Sequence, residues 1–254
     1  MELADPVSIG AFLGLSATAA GADVVGGALA LRLKPGTLDP RYIIAFSSGL
    51  ILAAAFFELM PEAFGDAGDE SGLRLMLLVM AFGFFTFYLV EKGVMLHSCG
   101  ERECETHGAN WISVAGMAAD NLVDGVGIAV GFLVDWRIGL AITLAVVAHE
   151  VPQGMASAEI LRKMKIPKRR ILGIVALAGS MYIAGALLSF VIPPEAYVYT
   201  IAFVAGAFIY VGAADLLAEA HRRFNAQVIA SVVGGAVFMY FIINMVESGT
   251  MFGG

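Results

Sequence analysis

Eight apolar runs follow one another through the 254 residues, mostly with short connections, and each is long enough to cross a hydrocarbon layer. Length and periodicity place them at about 7–31, 42–64, 73–94, 110–134, 137–163, 168–192, 196–223 and 226–247, close to the roughly 20 residues a spanning helix needs. Inside a bilayer every backbone N–H and C=O must find a partner within the chain, and runs of this length meet that demand as helices. The expected fold is therefore all-α, with eight transmembrane helices in a single polytopic domain over 1–254. Hydrophobic residues make up 59% of the chain and charged residues 15%, a composition that argues against a soluble domain with a large core.

The basic residues orient the bundle. With the N-terminus outside, Arg32, Lys34, Arg41, Lys92, Arg102, Arg162, Lys163, Lys165, Lys168, Arg169, Arg170, Arg222 and Arg223 fall on the cytoplasmic side. Only Arg74 and Arg137 of the 15 Lys and Arg residues are left outside. The positive-inside rule then predicts that both termini are extracytoplasmic. The opening Met1-Glu-Leu-Ala-Asp-Pro6 lacks the basic segment of a secretory signal, so the first run is expected to be retained. A net charge of −7 comes largely from acids at the outer face and inside helices, and gives no sign of nucleic-acid binding. Glu62, Asp66, Asp69 and Glu70 cluster toward the outer side, either as a cation-attracting mouth or as an ordinary solvated loop.

Polar side chains interrupt the fourth and fifth runs at their midpoints. Asp120-Asn-Leu-Val-Asp124-Gly125 lies in 110–134 and His149-Glu-Val-Pro-Gln153-Gly154 in 137–163. A carboxylate at that depth costs on the order of 2.5–3.5 kcal/mol even on gentle insertion scales, so such groups usually face a cavity and handle an ion or substrate. Asp120 and Asp124 are spaced i, i+4, and Asn121 and Asp124 i, i+3; His149, Glu150 and Gln153 repeat the pattern, so each set shares a helix face. Because the two helices run in opposite directions, they present similar motifs at one depth, as at transporter midplane sites. Pro152 denies the Ala148 carbonyl its amide partner, while Gly125 and Gly154 permit close backbone approach. Hydrogen-bonded helix glue is the competing reading. Three acids, Asp120, Asp124 and Glu150, cannot stay ionised together without positive charge, however, and no Lys or Arg stands mid-helix. A divalent cation supplies that charge, and the imidazole of His149 beside carboxylates favours zinc, iron or manganese over magnesium or calcium.

These motifs resemble the helix 4 and helix 5 signatures of the ZIP (Zrt/Irt-like) metal transporters, His-Asn-x-x-Asp/Glu-Gly and His-Glu-x-Pro-x-Glu/Gly. Glu58-Leu-Met-Pro-Glu-Ala63 is similar to the family's helix 2 pattern His-Leu-x-Pro-Glu-Ala. Ala205-Gly-Ala-Phe-Ile-Tyr-Val211 with Asp215-Leu-Leu-Ala-Glu219 resembles its helix 7. The eight-helix count, outward termini and long connection between the third and fourth runs also match, so the resemblance covers essentially the whole chain. It implies a primary metal site at Asp120, Asp124, His149 and Gln153. Asn121 and Glu150 fall on the side where some relatives hold a second metal.

The chain departs from the pattern at three positions. Asp120 replaces a histidine, Gln153 stands where many bacterial members have a bridging glutamate, and the helix 6 position at which some relatives supply an acid falls at Tyr182. A neutral amide supports two adjacent dications less well than a carboxylate, which argues for one metal or for one tight and one weak site.

Other candidates lie along a path. Glu58 and Glu62 are placed to receive metal from outside, and Glu159, Asp215, Glu219 and His221 to pass it inward; snorkelling or capping roles compete for each. Asp23 sits in a glycine-rich stretch of the first run, from Gly21 to Gly27, with no partner readable from sequence. His97, Cys99, Cys104 and His107 fall in a cytoplasmic connection at about 95–109 whose two thiols and two imidazoles suit zinc, with a flexible connector as the alternative reading.

The expected function is transport of a divalent transition metal into the cytosol by alternating access. Zinc is the expected cargo, with iron, manganese and cadmium as alternatives. No catalytic residue and no resident cofactor are expected: the metal is substrate, the lipid bilayer is the other partner, and the family implies a homodimer in a plasma or inner membrane. An intramembrane zinc hydrolase and a metal-gated channel are the competing functions. The hydrolase is disfavoured because His149-Glu-Val-Pro-Gln153 has glutamine where a His-Glu-x-x-His motif needs its second ligand.

Overall fold

A computed structural model of the chain describes residues 6–32, 41–65, 67–99, 111–221 and 225–248. Eight helices, all long and apolar enough to span a bilayer, account for nearly all of them, and no strand occurs among the described residues. They are α1 (Pro6–Arg32), α2 (Arg41–Gly65), α3 (Glu70–Cys99), α4 (Trp111–Val134), α5 (Trp136–Lys163), α6 (Lys168–Val191), α7 (Pro194–Ala220) and α8 (Ala226–Glu247). All eight expected spans are present, with ends displaced by a few residues. The largest displacement is at α3, which continues past 94 to Cys99. Val94-Met95-Leu96 prolongs the apolar run and no helix breaker intervenes before Gly100. His97 and Cys99 therefore end a helix rather than lie in a loop. Their side chains, and all of Cys104 and His107, lie outside the described part.

The helices sort into two groups of four. Within the first, α1 packs chiefly on α5 and α4 on α6; within the second, α2 packs on α8 and α3 on α7. Each of these four pairings is built on glycines from both partners. An added Cβ would stand 2.1 Å from the Val151 carbonyl oxygen at Gly26 and 2.0 Å from that of Asp23 at Gly154. The corresponding contacts are Gly125 with Tyr182 and Gly185 with Leu122, Gly49 with Val232 and Gly235 with Phe46, and Gly83 with Phe203 and Gly206 with Met80, all between 1.8 and 2.1 Å. Helices without a hydrophobic drive to associate gain by bringing backbones together, and only glycine permits this approach. Between the groups, at α2 on α5 and α4 on α7, side chains carry the contact: a Cβ on Gly127 of α4 would meet the Val204 methyls at 3.2 Å.

The main apolar core lies where the groups meet and includes Leu50, Ile51, Leu59, Ile128, Ile142, Val146, Ile201 and Phe208. The outer faces of α3 and α8 expose Leu78, Phe82, Leu89, Val237 and Phe241, as expected where the solvent is lipid.

Two helices contain wide, π-helical turns that the sequence pattern did not reveal. In α2 the turn is Ala55–Leu59, closed by the Met60 amide on the Ala55 carbonyl and followed by Pro61. In α7 it is Tyr210–Leu216, closed by the Leu217 amide on Gly212. Such turns recur at functional sites, and these hold Glu58 and Asp215.

At the α2–α3 connection the acidic cluster is partly absorbed by local structure. Asp69 caps α3, accepting the Gly72 amide at 2.8 Å and the Ser71 hydroxyl at 2.9 Å, bonds that hold its carboxyl below the usual range. Glu70 pairs with Arg74 one turn on at 2.8 Å.

Candidate metal centre

The α4–α5 hairpin turns on one residue. Val134 ends α4, Asp135 adopts extended backbone and accepts the Arg137 amide at 2.8 Å, and Trp136 begins α5. So tight a connection requires backbone contact: a Cβ on Gly139 would stand 2.6 Å from Phe132 backbone. Counting outward from Asp135 at about 1.5 Å per residue puts Asp124, Asp120 and His149 at comparable depth, roughly 16–22 Å from the turn.

One ligand atom from each of Asp120, Asp124 and His149 lies within 4.8 Å of the others. Atoms bound at about 2 Å to one zinc ion are at most about 4 Å apart, so a small rotamer adjustment closes this group around an ion. The site is dry. Asp124 is 3%, His149 2% and Glu150 0% exposed. His149 Nδ1 faces the Ala145 carbonyl at 3.2 Å, so that nitrogen carries a proton, and Nε2 is a lone pair in the neutral ring and an N–H in the imidazolium. Nε2 in turn lies 3.3 Å from Asp124 Oδ2 and 2.9 Å from Glu150 Oε1. Apart from these ion-pair contacts, the atoms and Glu150 Oε2 are buried without a hydrogen bond. A neutral ring would turn a lone pair on carboxylate oxygens; a proton on Nε2 or a metal ion in its place supplies the positive charge the arrangement needs.

Asn121 is 1% exposed, and its side-chain oxygen is engaged by its neighbours. Its Oδ1 accepts from Gln153 Nε2 at 2.9 Å and from the Tyr182 hydroxyl at 3.2 Å. Gln153 thus spans two settings, since it also lines a cavity of about 540 Å³ with Asp120. The cavity runs between α3, α4, α5 and α7 toward the ends of α3 and α7, past Tyr210, Asp215, Glu91, Lys92 and Glu219. Asp215 and Glu219 therefore line the same cavity as Asp120 and Gln153. Glu91 was missed. It accepts a hydrogen bond from the Tyr210 hydroxyl and pairs with Lys92 at 2.5 Å, and its only sequence signal was an acid near the end of an apolar run.

The remaining path candidates are elsewhere. Glu159 does not line the cavity and pairs with Arg162 at 2.6 Å, both partly exposed. His221 ends α7 with Nδ1 2.9 Å from the Leu217 carbonyl. Glu58 and Glu62 lie half-buried toward the opposite end of α2. The carbonyl of Ala148, orphaned by Pro152, receives the Ser47 hydroxyl of α2 at 2.7 Å. Asp23, from α1, lies beside the centre unexpectedly: it is buried at 2% against Gly154, where an added Cβ would stand 2.7 Å from its Oδ1.

Comparison with known proteins agrees with this architecture. Residues 96–243 match the family described as ZIP Zinc transporter. Zinc transporter ZIPB of Bordetella bronchiseptica is 30% identical over 254 aligned positions, covering 92% of this chain and 79% of that protein. Zinc transporter ZIP13 of Pongo abelii is 27% identical over 82% of this chain and 68% of its own length, and the Mus musculus ZIP13 is 24% identical over 85% and 73%.

Proposed function

The chain belongs to the ZIP zinc transporter family, and from that premise we propose that it carries zinc into the cytosol through the centre between α4 and α5. The family is one of transporters rather than enzymes, which removes the hydrolase reading. The observation that supports the zinc site most directly is the convergence of Asp120, Asp124 and His149 within 4.8 Å at mid-span. One dication offsets the two aspartates, and the neutral amide of Gln153 adds an oxygen without adding charge. Iron, manganese and cadmium fit the same donors.

The cavity and the basic residues together support the inward direction. The cavity leads to the helix ends that carry the Lys and Arg clusters, so by the positive-inside rule it faces the cytoplasm. Asp215, Glu219 and Glu91 line it as carboxylates that lower the cost of leaving the centre. Alternating access then has a structural basis. Glycine-on-backbone contacts tie helices together within each group of four, whereas side chains carry the contact between the groups, so one group can shift against the other without breaking its own packing. The metal-gated channel remains the contrasting mechanism. Purified protein in zinc-loaded or zinc-free liposomes distinguishes them: saturable uptake with competition by cadmium or iron supports a carrier, and non-saturating flux that follows the gradient opposes it.

A further inference from the structure

Lys92 has no role in the scheme so far, yet it stands on the route. It is the next-to-last residue of the third span, Glu70–Gly93, where a lysine ordinarily snorkels along the helix to the membrane surface. Here its side chain lines the cavity. Its Nζ lies 2.5 Å from Oε1 of Glu91, the residue before it. Successive residues on a helix point about 100° apart and do not face each other, so the lysine stem has to bend back to make this contact.

The charges around it are unequal. Among the residues that line the cavity, Glu91, Asp120, Asp215 and Glu219 are acidic and Lys92 alone is basic. Glu91 is engaged on both oxygens: Oε2 accepts from the Tyr210 hydroxyl of α7, and Oε1 meets the ammonium. Tyr210 is itself held by edge contacts with Phe84 and Tyr88 of α3. Glu91 thus has a set place in the cavity wall, and Lys92 covers the oxygen that Tyr210 leaves over.

An ion path works where binding is strong enough to draw the ion in and weak enough to let it go. Three carboxylates beyond the centre, Glu91, Asp215 and Glu219, share one partly enclosed cavity and together attract a dication far more strongly than any of them does in water. An ammonium tethered beside Glu91 competes with the ion at high effective concentration. Lysine suits that task, being a compact charge on a flexible stem that can move aside and return.

We propose that Lys92 is a built-in competitor cation of the exit cavity: it occupies Glu91 and so keeps the acids beyond the centre from retaining the metal that leaves it. This deepens the reading of the cavity as the route inward and rests on it.

The test uses the full-length protein in detergent, loaded with Zn²⁺ and mixed rapidly with a chelator while release is followed. Lys92→Gln should slow release by about tenfold, the effect of losing one charge close to a partly screened ion. Lys92→Arg keeps the charge and should release zinc at nearly the unaltered rate. Adding Glu91→Gln to Lys92→Gln should restore the rate, because the acid that was uncovered is then gone; a merely structural role for Lys92 would not be repaired in this way. Lys92→Met, of similar length, takes the place of Lys92→Gln if the latter lowers the metal-free thermal midpoint. Unchanged release without the lysine charge overturns the proposal, and so does a slowing that persists when Glu91→Gln is added. The transport reading fails on a different measurement, the absence of saturable uptake in liposomes by the unaltered protein, and that result would overturn the proposal as well.

Discussion

The Ser47 hydroxyl of α2 donates to the Ala148 carbonyl of α5 at 2.7 Å, filling the acceptor that Pro152 leaves without an amide. The bond joins the two groups of helices one residue from His149. Next to it Ser48 donates to the Gly212 carbonyl in the wide turn of α7 at 2.9 Å, so consecutive serines serve two interrupted helices.

Ser47→Ala should lower the thermal stability of the detergent-solubilised protein by about 1 kcal/mol, the scale of a single hydrogen bond between buried helices. Pro152→Ala returns an amide to the Ala148 carbonyl. The loss caused by Ser47→Ala should therefore shrink in a Pro152→Ala background, and equal losses in both backgrounds would show that the hydroxyl acts elsewhere.

Asp124→Ala and His149→Ala should each reduce zinc uptake in liposomes to background while the protein remains monodisperse. Each change removes a ligand, and removing Asp124 also relieves charge from a group of buried acids. Uptake near that of the unaltered protein would exclude the residue from the primary site.

Glycine packing makes a prediction with internal controls. Gly154→Ala and Gly125→Ala place a Cβ 2.0 and 2.1 Å from a facing carbonyl oxygen, whereas a Cβ on Gly10 or Gly173 has nothing within 4 Å. The first two should lower stability by about 1–3 kcal/mol or more, as overpacking does, and the second two should leave the melting temperature nearly unchanged. Equal effects at all four would remove the argument that α1–α5 and α4–α6 are held backbone to backbone.

The cavity acids should act on rate rather than on the centre. Asp215→Asn is expected to slow uptake several-fold while zinc affinity at equilibrium stays within about twofold, because Asp215 lies on the path and not among the converging ligands. A matching fall in affinity would move Asp215 into the site itself.

The spans and both polar motifs were legible in the sequence because length and period are local properties. Asp120, Asp124 and His149 could be grouped from helical spacing and antiparallel depth alone. The partners of Asp23 could not, since they depend on α1 crossing α5 at Gly26 and Gly154, a contact between helices distant in sequence. Glu91 was hidden for the same reason: its link to Tyr210 joins α3 to α7. The wide turns at Ala55–Leu59 and Tyr210–Leu216 escaped because one extra residue in a turn leaves an apolar run looking continuous. Asn121 shares the helix spacing of the ligands, yet its oxygen is taken by Gln153 and Tyr182, a distinction that spacing does not contain.

Gln153 also sets how many metals the centre holds. Two dications about 4 Å apart repel strongly where screening is weak, and a neutral amide between them offsets none of that repulsion. The unaltered protein should therefore bind one metal tightly, at Asp120, Asp124 and His149. Gln153→Glu replaces the N–H that now meets Asn121 Oδ1 at 2.9 Å with an oxygen. Two oxygens then face each other beside Glu150, whose own oxygens have no hydrogen bond, and a cation between them relieves the repulsion. This variant should gain a second metal near Asn121 and Glu150 and should release zinc more slowly. Anomalous scattering at the zinc or cadmium edge measures the outcome: one midplane peak is expected in the unaltered protein and two in Gln153→Glu. Two full peaks in the unaltered protein, both in contact with Gln153, would overturn the single-metal reading, and a lone peak in Gln153→Glu would show that a carboxylate at this position does not suffice to bridge.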